Sequence, residues 1–192
     1  MQVKIEKKDG KVWGESPYLP EFPEAARRLG GKWNGTHWVF DERDFDRVKE
    51  LYLKFYGEDG FTPVKPVTVR VMCLDDWFSE YRTGLFLFGR MIARGFCRDS
   101  GAKLGDDVVL LNGDIDTGGS RKHWYTVARK GSVFEIRGVP LSFMEKKEGV
   151  PEALEVSVVE ETKGPSREEL LKEQQTLMDR INEIDKILKG GV

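Results

Sequence analysis

The dipeptide Asn34-Gly35 lies between two tryptophans, in the run Gly30-Gly31-Lys32-Trp33-Asn34-Gly35-Thr36-His37-Trp38-Val39-Phe40. Asn-Gly tolerates left-handed backbone at both residues of a two-residue turn, so Gly31–Trp33 and Thr36–Phe40 are expected to close as a tight hairpin. In that register Trp33 faces Thr36. Side-chain alternation then puts Trp33, Trp38 and Phe40 on one side, and Lys32, His37 and Val39 on the other. Both tryptophans therefore share a face. That face is either the core of a small domain or a platform for nucleobases, and the flanks favour the core.

Upstream, Val3 and Ile5 alternate with polar residues, Asp9-Gly10 offers a turn, and Lys11-Val12-Trp13 resumes extended character, which predicts a first hairpin. A short helix follows, beginning at Ser16 or near Pro20, with Phe22, Ala25, Ala26 and Leu29 apolar and Gly30-Gly31 at its end. Downstream, a second helix starts near Asp41 or Asp44, whose carboxylates suit a helix N-terminus. Phe45, Val48, Leu51, Tyr52 and Phe55 recur at helical spacing before Tyr56-Gly57 closes it. Two aromatic-striped helices need a sheet face to cover. The Trp33/Trp38/Phe40 face is the one available.

Ser16-Pro17-Tyr18, a short helix, Gly30-Gly31-Lys32-Trp33, then Trp38-Val39-Phe40 and an amphipathic helix form a pattern over residues 14–57. It resembles the HARP-type module, which accompanies annealing helicases and binds branched DNA, and small accessory modules of bacterial plasmid and phage proteins. The resemblance spans less than a third of the chain. It implies an accessory that contacts nucleic acid without ATP chemistry, because no G-x-x-x-x-G-K-[ST] motif occurs.

Pro63 and Pro66 stiffen the joint at 61–66. Beyond it, strands are expected at Val67–Leu74, Val108–Leu111, Tyr125–Ala128, Ser132–Arg137 and Ala153–Val159, with Lys130-Gly131 as a hairpin turn. Short strands at such spacing predict an antiparallel sheet or barrel. Three glycines argue against a helix over 84–96, which reads as one long strand or two joined by a bulge near Gly89.

The global charge of -2, from 31 basic and 33 acidic residues, does not announce a nucleic-acid binder, so any basic surface must be local. Two segments qualify. Arg90, Arg94 and Arg98, spaced by four, fall on one face of a helix or of a strand. The second segment is Asn112–Trp124, read as a loop. There the backbone of Gly118-Gly119-Ser120 with Arg121 and Lys122 would receive a phosphate, and Trp124 would stack a base.

Chemistry beyond binding has thin support. Asp114, Asp116 and His123 supply no third carboxylate at a recognisable spacing for a metal, and the chain has only His37 and His123. Cys73 and Cys97 read as two buried thiols, far from any histidine, which argues against a zinc site or a cysteine nucleophile. No catalytic residue, metal or cofactor is expected. The start MQVKIEKKDGKVW lacks an apolar signal core and no run matches a membrane span, so a cytoplasmic location is expected.

At the C-terminus, Ser166-x-x-Glu169 is a capping box, and Leu170, Gln174, Leu177, Ile181, Ile184 and Leu188 step as a heptad seam, widened by Leu171, Met178 and Ile187. A helix over 166–189, about 36 Å long, would join copies of the chain as a homodimer or higher homo-oligomer.

The expected fold is α+β: a ββαββα unit over 1–60, a mainly antiparallel β-sheet or barrel domain over 61–163, and a long C-terminal helix over 164–192. The expected function is a non-catalytic nucleic-acid-binding accessory from a mobile element or its host. DNA is favoured over RNA, in single-stranded or branched form, and Arg90, Arg94, Arg98, Ser120, Arg121, Lys122 and Trp124 would form the contact surface. The alternative is a phage- or plasmid-encoded regulator that binds a protein partner through its β domain and coiled coil.

Overall fold

Asp9 and Gly10 both take left-handed backbone, with φ of 53° and 68°, and fold β1 (Lys4–Lys8) back on β2 (Lys11–Glu15). In the computed structural model, which describes residues 3–146, 149–159, 171–172, 174–181 and 184, α1 (Phe22–Arg28), β3 (Lys32–Trp33), β4 (Trp38–Asp41) and α2 (Phe45–Tyr56) follow. The sheet runs β1-β2-β4-β3, antiparallel throughout. Val12, Trp38 and Phe40 are buried on its inner face beneath Phe22 and Ala26 of α1 and Val48, Tyr52 and Tyr56 of α2. Phe22 is the hub, with its ring 4.9–6.0 Å from those of Trp38, Tyr52, Phe55 and Tyr56. Burial pushes the Tyr56 phenol up to about 12 while its hydroxyl donates to the Pro17 carbonyl at 2.9 Å.

The second hairpin differs from the two-residue turn that Asn34-Gly35 implies. Trp33 pairs with Trp38, so Asn34 through His37 form a four-residue loop. Asn34 itself is the reason. Its side-chain oxygen accepts from the N–H groups of Thr36 (3.0 Å) and His37 (2.8 Å) and from the Thr36 hydroxyl (3.2 Å), donors that a shorter loop would not gather around it. The slip is even, so Trp33 and Trp38 still share a face, with ring centroids 5.6 Å apart. Their burial differs. Trp38 is 6% exposed, whereas Trp33, on the two-residue edge strand β3, is 52% exposed.

Asp59 closes this module. Its carboxylate accepts from the N–H groups of Phe61 (2.9 Å) and Thr62 (2.6 Å) and the Thr62 hydroxyl (2.9 Å), and pairs with Lys49 at 3.2 Å. Partial burial works against its charge, but these donors outweigh it and hold the carboxyl at about 2. A carboxyl depressed in the folded state stabilises the fold above its ordinary value near 4, and that contribution disappears as pH falls through about 2. Asp59→Asn should therefore cost about 1 kcal/mol at pH 7, and its penalty should shrink at low pH. Urea midpoints of both proteins at pH 7 and at pH near 2 test this; an unchanged gap would mean that the carboxylate charge contributes nothing.

The rest of the first unit is made of strands β5 (Pro66–Cys73), β6 (Trp77–Phe78), β7 (Gly84–Leu87), β8 (Arg90–Gly95), β9 (Ala102–Leu104), β10 (Val108–Asn112), β11 (Ile115–Gly119), β12 (Trp124–Ala128) and β13 (Val133–Pro140), the helix α3 (Leu141–Lys146), and β14 (Leu154–Val159). They pair as three antiparallel sheets, ordered β10-β13-β5-β14, β11-β12-β6 and β7-β8-β9. The sheets close on one core. Val69, Val71, Phe134 and Ile136 meet Leu85 and Ile92, and Trp77 lies parallel to Phe134 with centroids 6.5 Å apart. Segment 84–96 is a hairpin rather than one long strand, because Phe88 and Gly89 both adopt left-handed backbone and reverse the chain.

Residues 1–159 cluster as one compact unit holding two apolar cores, one in the β1–α2 module and one among the three later sheets. The modules meet where the Ser142 hydroxyl donates to the Gly57 carbonyl and the rings of Tyr18 and Phe86 approach edge-on. Residues 160–192 form a second unit.

The fold class is thus mainly antiparallel β with a few short helices, not α+β ending in a long helix. Residues 115–119, read as part of a loop, form strand β11, and β6 (77–78) and β9 (102–104) are strands where none was expected, recruited by long-range pairing that local propensity does not report. Of the helix expected over 166–189, the described residues 171–172, 174–181 and 184 are helical, while the capping box and the seam positions Leu170, Ile187 and Leu188 lie outside the described residues. Leu177, Met178, Ile181 and Ile184 are exposed there. No helix among the described residues is long and apolar enough to cross a membrane.

Candidate nucleic-acid interface

The segment read as a phosphate-cradling loop is the β11–β12 hairpin. Ser120 and His123 exchange backbone hydrogen bonds, each 3.2 Å, and leave Arg121 and Lys122 exposed at the tip. The Ser120 amide is therefore engaged, and its hydroxyl accepts from the His123 N–H at 3.1 Å. Gly118 and Gly119 lie in the ladder opposite Tyr125 and Trp124. Their lack of side chains serves Tyr125: a Cβ on Gly118 would come within 2.9 Å of the Tyr125 ring, and one on Gly119 within 2.2 Å of the His123 carbonyl. Tyr125 lies across β11 because both positions are glycine.

Alternation along β12 decides which aromatic is available. Trp124, Thr126 and Ala128 face inward and are buried, Trp124 being 8% exposed, so it offers no ring face to a base. Tyr125 points outward, where Phe78 from the neighbouring β6 meets it edge-on at 5.2 Å. Tyr81, 64% exposed, contacts the His123 ring at 5.1 Å. Phe78, Tyr81 and Tyr125 line an open depression of about 580 Å³ with Ser79 and Glu80.

Arg82 joins the hairpin tip to this group. Its backbone is left-handed, with φ of 61°; its N–H donates to the Trp124 carbonyl and its Nε to the Lys122 carbonyl, both at 2.8 Å. Ser79 anchors the other side, its hydroxyl accepting from the Thr126 N–H at 2.9 Å. The result is four aromatic rings beside three cations, Arg82, Arg121 and Lys122. Glu80 in the depression and Asp116 on the outward face of β11 oppose them.

The three arginines spaced by four separate. A bulge in β13 between Ile136 and Val139 sets the Arg137 and Gly138 carbonyls outside the ladder. Arg90 takes both, through Nη1 at 2.8 Å and Nη2 at 3.0 Å. Burial works against the Arg90 charge, and Asp107 and Glu58 compensate in part. Arg90 fastens the fold. Arg94 is half-buried, opposite Gly84 and Lys103 in the β7-β8-β9 ladder. Arg98 lies beyond β8 in a turn; its guanidinium pairs with Asp99 at 2.8 Å, and its carbonyl accepts from Thr117 of β11. Of the seven residues singled out from the sequence, the structure thus gathers Ser120, Arg121 and Lys122 at one hairpin tip, with Trp124 beneath.

Phe78, Tyr81, Arg82 and Tyr125 do not stand out in the sequence. For Tyr125 a signal exists: a strand with Trp124, Thr126 and Ala128 inward must present Tyr125 outward. Tyr81 and Phe78 carry no such mark, because β6 is two residues long and its pairing with β12 is non-local.

Asp114 and Asp116 occupy a turn and a ladder position, and no group of three or more His, Cys, Asp or Glu among the described residues is arranged to hold a metal. Cys73 is buried, which pushes its thiol up to about 11, while Cys97 is exposed rather than buried as expected. No protein-family model, curated protein or solved structure matches the chain.

Proposed function

We propose that this protein is a non-catalytic nucleic-acid-binding accessory, acting on DNA in preference to RNA, whose contact surface is the outer face of the β11-β12-β6 sheet. The carrying observation is the aromatic group of exposed Phe78, Tyr81 and His123 with half-buried Tyr125, beside Arg82, Arg121 and Lys122. Solvent-facing rings flanked by cations supply the two contacts that nucleic acid rewards, stacking and phosphate neutralisation. The HARP-type resemblance of residues 14–57 supports the same class. The exposed apolar residues Leu177, Met178, Ile181 and Ile184 support self-association through the C-terminal segment.

Replacing Arg121 and Lys122 together by Ala should weaken DNA binding and flatten its salt dependence by about two contacts' worth. Thermal stability should hardly move, since exposed charges contribute little to folding. Fluorescence anisotropy at several salt concentrations reads both quantities, and light scattering of the same samples reports the oligomer. Binding that the double variant leaves intact would remove the hairpin tip from the interface. If no nucleic acid binds at about 50 mM salt, the protein-partner reading replaces this one.

A further inference from the structure

Resting on that reading, the geometry points to the unpaired bases of a single strand as the ligand of this face, held more by stacking than by charge. Three features carry it. First, both aromatic pairs are edge-to-face, with interplanar angles of 82° for Phe78–Tyr125 and 63° for Tyr81–His123. An edge-to-face contact covers one ring's edge and one face of its partner, so ring faces remain open to a further planar group. Phe78 and Tyr81, about half or more exposed, keep theirs in solvent.

Second, Phe78, Tyr81 and Tyr125 line one depression, so successive bases of one strand can reach these rings. In a duplex the base faces are covered by their neighbours and only groove edges and phosphates are offered. A surface built for a duplex gains nothing from open ring faces.

Third, charge is sparse here. Arg82, Arg121 and Lys122 are opposed by Glu80 and Asp116, and Arg82 is already bonded to a carbonyl through Nε. Duplex DNA, with its dense phosphates, would find few partners on this face. The glycines fit the same picture. Gly118 and Gly119 hold the Tyr125 ring against β11, which fixes one stacking surface before any ligand arrives.

Three probes of equal length separate the contributions: an oligo(dT) strand, its duplex with oligo(dA), and an abasic strand that keeps every phosphate and sugar but has no bases. Anisotropy at about 50 mM salt should show the single strand binding at least about tenfold tighter than either other probe. Its salt slope should be no steeper than about -2, the value for three phosphate contacts. An oligo(U) strand adds the ribose case, and binding by its bases supports the same inference.

Tyr81→Ala should lose about 5- to 100-fold on oligo(dT) while leaving the abasic strand unaffected. An abasic strand or duplex that binds as tightly as oligo(dT) would overturn the inference while leaving nucleic-acid binding in place. Failure of every probe to bind would remove the proposed function itself.

Discussion

Trp38→Ala is expected to cost about 3–5 kcal/mol and to unfold the β1–α2 module, whereas Trp33→Ala, five residues away on the same sheet face, should cost much less. The Trp38 ring is enclosed: Phe22 stands edge-on at 6.0 Å, Trp33 covers it at 5.6 Å, and the Arg27 guanidinium lies 5.8 Å from its centroid. Truncation leaves a cavity under α1 that Phe22, already in contact with three other rings, cannot fill without leaving them. Trp33 has water on its outer side and loses mainly one ring contact. Urea denaturation followed by far-UV circular dichroism measures both. Equal losses would mean that the edge strand is as buried in solution as the strand beside it.

The second large effect concerns the junction between the two modules. Gly89 has φ of 68°, and a Cβ built on it would lie 2.4 Å from the Phe55 carbonyl oxygen at the end of α2. Gly10 has the same φ of 68° with nothing within 4 Å. Alanine at either position pays the left-handed backbone penalty of about 1–2 kcal/mol. Only at Gly89 must the substitution also push two backbone segments apart. Gly89→Ala should therefore lose more than about 2 kcal/mol, clearly exceeding Gly10→Ala. If the two variants have the same urea midpoint, α2 does not press on the β7–β8 hairpin in solution.

The same contrast shows why parts of this molecule are legible in its sequence and others are not. Asp9-Gly10, Gly30-Gly31 and Tyr56-Gly57 mark chain reversals or helix ends because their backbone demands are local. The aromatic stripe Phe45, Val48, Tyr52 and Phe55 is likewise a local statement that one helix face needs cover. Asn34-Gly35 signals the reversal correctly and its register incorrectly. The side chain of Asn34 competes for the backbone of Thr36 and His37, and a rule based on φ alone does not include that competition.

Local chemistry also places Arg121 and Lys122 at an exposed position. It does not distinguish a phosphate cradle from a hairpin, since glycines serve both; what Gly118 and Gly119 make room for is Tyr125, whose position is fixed by pairing across β11 and β12. Regular spacing misleads in a similar way. Arg90, Arg94 and Arg98 share a face only if the segment continues unbroken, and β8 ends at Gly95. The Arg90 side chain is claimed by a bulge in β13, nearly fifty residues later.

The sequence by itself therefore determined the reversal at Asp9-Gly10, the ends and amphipathic faces of α1 and α2, and most of the longer strands. In each case the deciding energy lies between residues a few positions apart. Only the tertiary structure decided that β6, β9 and β11 exist, that Arg90 is a fastener and not a contact, and that Phe78, Tyr81 and Tyr125 converge on one surface. Those outcomes depend on cross-strand pairing between residues as distant as Trp77 and Ala128, where a two-residue strand is stable only because its neighbour is already in place.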